Sequence, residues 1–176
     1  TAALLIMLTG GLQAASPDVL SGPPPAWQPV QGPQAVASEC QASLGQARSA
    51  LLRLRQQPPD SQWLRKQDAF VARIEDWGNR LTFLANVHPD KAVRSAAEAC
   101  ELRWNTFFSS LGQDPALYRA ARQVQPADET GRNLLTTMLQ DFVDAGVSLP
   151  PAQRTRARRL NDRIAAGPAH PRPAAQ

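Results

Sequence analysis

Between Val87 and Leu111 the chain reads VHPDKAVRSAAEACELRWNTFFSSL, and this stretch limits the possible folds more than any other. Val93, Ala97, Cys100, Trp104, Phe107 and Leu111 recur at alternating steps of four and three. In an α-helix that spacing puts all six on one stripe. Arg94, Glu98, Glu101 and Arg103 fall away from the stripe and can stay in water. Pro89 is expected in the first helical turn, with Asp90 close behind it, where the helix dipole favours a negative charge. An aromatic-rich apolar face of this length does not stand alone in water, so the rest of the chain has to cover it.

The flanking segments carry matching stripes. Residues 35 to 57 read as a helix with Ala37, Cys40, Leu44, Ala47, Leu51 and Leu54 on one side, capped at Ser38 or earlier and stopped by Pro58-Pro59. Asp60 or Ser61 then caps a second helix to about Asn86, striped by Trp63, Phe70, Ile74, Trp77, Leu81 and Leu84, with Gln67 in the gap. Gly78 lies inside it and costs about 1 kcal/mol relative to Ala unless a close crossing uses it. The Val87-to-Leu111 helix follows and closes on Gly112 as a cap. Asp114-Pro115 opens a short helix to Val124, with Leu117, Tyr118 and Ala121 inward. Asp128-Glu129 begins a fifth, with Leu135, Met138, Leu139, Phe142 and Val143 on its apolar face, ending at Gly146 with Val147 folded back. Pro150-Pro151 starts a sixth, with Ala157, Leu160 and Ile164 on one side.

No stretch alternates like a strand. The predicted fold class is therefore all-α: a bundle of about six helices, the long ones first and antiparallel because their connections are short. The helical domain is predicted over residues 35–166. Residues 16–34 are a Pro/Gly-rich linker and 167–176, reading GPAHPRPAAQ, a disordered tail.

Residues 1–15 read as a signal-peptide-like segment. Ala2 to Leu8 is an apolar run, Ala14-Ala15-Ser16 are small, and the positive n-region is missing. The run is too short to span a bilayer, so no stable membrane span is expected. The expected localisation is periplasmic or secreted. The two cysteines, Cys40 and Cys100, both fall on apolar stripes. They read either as two buried free thiols or, in an oxidising compartment, as a disulfide whose loop closure contributes about 4 kcal/mol.

The chain carries no catalytic constellation of its own. His88 precedes a proline and His170 lies in the tail; neither belongs to an H-E-x-x-H pair. No G-x-S-x-G, P-loop or dinucleotide-binding glycine pattern occurs. Asp141 with Asp144, and Glu98 with Glu101, are spaced by three and read as members of solvated ion-pair networks with nearby Arg. The net charge of +4 sits late, on Arg154, Arg156, Arg158, Arg159, Arg163 and Arg172. Without interleaved aromatics this is read as a solvated helix face, with no nucleic acid expected as partner.

One resemblance stands out. The stretch LTFLANVHPDKAVRSAAEACELRWNTFFSSLGQDPALYRAARQV, followed by DETGRNLLTTMLQDFVDAGVSLPPAQRTRARRLNDRIA, resembles the N-terminal helical region of the thimet-type zinc oligopeptidases. That metallopeptidase family includes thimet oligopeptidase, neurolysin, oligopeptidase A and dipeptidyl carboxypeptidase. The residues that carry the likeness are Pro89-Asp90, Val93-Arg94 and Ser95 to Glu101. Leu134-Leu135, Asp141-Phe142, Gly146, Leu149 and Arg154 follow in order. The likeness covers roughly Ala35 to Ala165. It implies one wall of a channel that admits short peptides, cleaved by a zinc-bound water held elsewhere in the family's chain. No catalytic, cofactor-binding or metal residue can be carried over, since no position here matches one, and the zinc belongs to the full-length family. After Ile164 the text departs from the family, which implies a truncated or frameshifted reading, inactive alone. The expected partners are the missing downstream catalytic region, or short peptides when full-length, with possible self-association. A free-standing periplasmic helical interaction module is the alternative, and nucleic-acid binding through the last helix a third.

Overall fold

The computed structural model describes residues 32–165. The signal-like segment, all but the last residues of the linker, and the tail lie outside them. Six helices follow one another: α1 (Pro33–Arg55), α2 (Ser61–Val87), α3 (Lys91–Gly112), α4 (Pro115–Ala121), α5 (Glu129–Asp144) and α6 (Pro151–Ala165). No strand occurs among the described residues.

Four of the helices start where an aspartate side chain accepts from backbone N–H groups of the first turn. Asp60 accepts from the N–H groups of Gln62 and Trp63 at 2.9 and 2.8 Å to begin α2. Asp90 accepts from Ala92 at 2.7 Å to begin α3. Asp114 and Asp128 do the same for α4 and α5. Pro89 is therefore not in the first turn of α3. It precedes the cap, because the Asp90 carboxylate can satisfy the open N–H groups and a proline cannot. In α1 the cap is Gly32, with Pro33 in the first turn, and Ser38 lies inside the helix.

The α5 terminus is a Schellman turn. Val147 N–H donates to Phe142 O, Gly146 N–H donates to Val143 O, and Gly146 takes φ 85°. Val147 and Phe142, both buried, close the accompanying apolar contact. Gly112 is a different case. It is the last residue of α3 rather than a left-handed cap, and its missing Cβ matters for packing: an added Cβ would stand 2.8 Å from Ala145 Cβ.

The first three helices pack on one another, with α3 touching α1, α2 and α6. Their contacts fix the antiparallel register. Trp63 Nε1, at the start of α2, donates to Leu54 O at the end of α1 at 3.1 Å. Arg80, late in α2, pairs with Glu39, early in α1. Trp77 stacks on Trp104 at 6.4 Å between centroids, and Phe107 meets Trp104 edge-on at 5.8 Å.

All six stripe residues of α3 are buried. Each large one contributes roughly 1.5–3 kcal/mol by burial before entropy is set against it. Elsewhere the pattern shifts. In α1 Val36 is buried and Ala37 exposed, since a step of four from Val36 to Cys40 continues the stripe as well as a step of three. In α2 the face widens to include Leu64, Ala85 and Arg80, while Trp77 is half-buried. Val143 is exposed, and so are Leu160 and Ile164, the latter 77 %. The last helix thus keeps its apolar side largely in solvent among the described residues.

The Cys40 and Cys100 sulfurs are bonded, with 5.9 Å between their Cα atoms, and tie α1 to the middle of α3. No described helix is long and apolar enough to cross a membrane.

Candidate functional site

α2 and α5 stand on either side of a cleft of about 580 Å3, closed at one end by Phe108, Leu111 and Gly112 of α3. The reason lies in the two helices' sequences. Beside its core stripe α2 carries Val71 and Ala72, and α5 presents Leu134, Met138 and Phe142 at steps of four. Both therefore offer apolar surface to the space between them. Gly112 lets α3 meet the end of α5 closely enough to close the cleft.

The rim is acidic. Asp68 and Glu75 of α2 and Asp141 and Asp144 of α5 line the opening, all four exposed, and no Lys or Arg lines it. Asp144 accepts from Gln140 Nε2 at 2.8 Å. The ion pairs Arg55–Asp114 and Arg80–Glu39 lie elsewhere. The arginine network expected around Asp141 and Asp144 does not line this rim, and the contact found for Asp144 is with Gln140, one turn away on the same helix. Gln67, one of the lining residues, is 3 % exposed, and its Oε1 has no hydrogen-bond partner among the described residues. A buried amide oxygen without a donor is costly, on the order of 1–3 kcal/mol.

Glu75 and Phe108 also line a second depression of about 250 Å3 between α2 and α3, so the two adjoin. Gly78, Thr82, Glu101 and Trp104 continue it. Glu101 accepts from Thr82 Oγ1 at 2.6 Å. Trp104, 3 % exposed, has an Nε1–H without a partner among the described residues. The groove as a whole combines aromatic and aliphatic walls, five carboxylates and two unmet polar atoms.

The residues singled out from the sequence lie apart from one another. His88 sits in the α2–α3 joint, where its Nδ1 accepts from Asp90 N–H at 3.1 Å. Arg94 closes the same joint by donating to His88 O and Pro89 O at 2.7 and 2.9 Å. Arg154 donates to Val147 O at 2.9 Å across the α5–α6 joint. His170 lies outside the described residues. No three His, Cys, Asp or Glu side chains among the described residues are grouped to share a metal ion.

Sequence reading missed the buried polar residues. Asp114 is 6 % exposed: its Oδ1 caps α4 while its Oδ2 accepts from Arg55 Nε at 3.1 Å. Gln67 was visible only as a gap in the α2 stripe. The acidic rim had no local signal, since its two halves are separated by more than sixty residues. A search for apolar positions beside the main stripe of α2, Val71 and Ala72, would have pointed to it.

No family model, curated protein or solved structure matches this chain.

Proposed function

We propose that the chain is the amino-terminal, non-catalytic helical part of a secreted thimet-type zinc oligopeptidase. Its role there is steric: it forms a wall that limits which peptides reach the zinc. The observation that carries this reading is the work done by the residues that bear the resemblance. Asp90 caps α3, Arg94 clamps the turn before it, Gly146 turns the chain out of α5, and Arg154 holds the next joint. Residues fixed by backbone geometry at joints are those whose order and spacing a shared fold would keep. The bonded Cys40–Cys100 pair supports an exported location, where disulfides persist.

The test is to read the coding DNA beyond codon 176 in all three frames. The proposal expects an H-E-x-x-H helix and a later Glu in one of them, joined to a continuation of α6. Their absence from every frame would remove it.

The acidic groove favours a second reading, a free-standing periplasmic helical interaction module. In that case no catalytic frame follows, and the chain's activity is binding alone.

A further inference from the structure

We infer that the α2–α3–α5 groove is a docking site for a basic amphipathic helix of a partner polypeptide. The inference rests on the groove itself and stands under either functional reading.

Two observations converge on that chemistry. The first is shape. A trough between two helices, closed by the end of a third, is what a further helix fills, and about 580 Å3 holds several side chains rather than one. The second is charge. Asp68, Glu75, Asp141 and Asp144 line the opening with no basic residue among the lining side chains. An apolar occupant flanked by Arg or Lys meets the walls with its stems and the rim with its charged ends. An acidic occupant would bring like charges together. These requirements together describe one ligand: aliphatic residues at steps of three and four, with arginines or lysines beside them.

A small polycation answers the charge but leaves the apolar walls wet. A purely apolar helix fills the walls but leaves the acidic rim without a counter-charge.

The experiment uses the whole 176-residue chain, with its disulfide intact, and a fluorescein-labelled 15-residue helical peptide. The peptide carries Leu at four-and-three spacing and Arg at the flanking positions. Binding is read by fluorescence anisotropy. The expected result is saturable binding in the micromolar range, weakened at least tenfold when every Arg of the peptide becomes Glu and at least tenfold when every Leu becomes Ser. D68N combined with D141N should weaken the Arg peptide about tenfold. Both positions are exposed, so the helical circular dichroism should be unchanged. E129Q, on α5 but outside the groove, should leave affinity within twofold.

Equal binding of the Glu peptide would overturn the inference, as would displacement of the Arg peptide by equimolar spermine. Indifference to D68N/D141N in a folded protein, or no binding at millimolar peptide, would do the same. None of these outcomes bears on the presence of a downstream H-E-x-x-H frame, so this proposal and the preceding one fail separately.

Discussion

At Gly78 an added methyl group would meet no heavy atom within 4 Å, while at Gly112 it would stand 2.8 Å from Ala145 Cβ. Both glycines lie within helices at ordinary negative φ, so only the surroundings differ. Gly78→Ala is expected to stabilise the protein by roughly 0.5–1 kcal/mol, by removing unfolded-state freedom and raising helix propensity. Gly112→Ala is expected to destabilise it by roughly 1–3 kcal/mol through overpacking. Urea denaturation of the two variants, with unchanged m-values, checks the opposite signs. Asp114 is a polar anchor at this scale, bonded both to its own helix and to Arg55. Asp114→Ala loses a helix cap and the partner of Arg55. Because Arg55 is 39 % exposed and can turn to water, the loss should be about 2 kcal/mol rather than the larger cost of stranding a buried charge. Such pairings were not legible beforehand, since Arg55 and Asp114 are 59 residues apart.

The helices themselves were legible in proportion to how many neighbours cover them. α3 is packed from several sides, and all six of its periodic apolar residues are buried, because a helix so enclosed has only one face left for water. α6 has a comparable sequence period but touches little beyond α3, and its Leu160 and Ile164 remain exposed. Periodicity states which face is apolar; it does not state that a partner exists. Ile164→Ser should therefore change stability by less than about 0.5 kcal/mol, whereas Leu117→Ala, at a position 1 % exposed, should cost roughly 2–5 kcal/mol. The disulfide acts between elements rather than within one. Joining α1 to α3 across a separation of 60 residues removes freedom from the unfolded chain worth about 4 kcal/mol. Cys40→Ser with Cys100→Ser should lower the melting temperature by roughly 10–15 °C while leaving the far-ultraviolet helical signal in place below it.

Across the described residues, α1 to α5 bury apolar residues against one another, α6 keeps much of its apolar side in solvent, and an acidic trough lies between α2 and α5. The all-α architecture followed from the recurrent three-and-four spacing. The trough did not, because it is made by the distance at which α2 and α5 come to rest, and no local pattern encodes that distance. The proposed function assigns substrate exclusion to these helices and amide hydrolysis to a separate catalytic part. Cleavage of a short internally quenched peptide measures it most directly, using the purified chain alone and then mixed, zinc present, with the polypeptide encoded downstream. The account predicts no turnover by the chain alone and turnover by the mixture, limited to short peptides. Turnover by the chain alone, or a downstream polypeptide whose rate and size limit are indifferent to this chain, would contradict it.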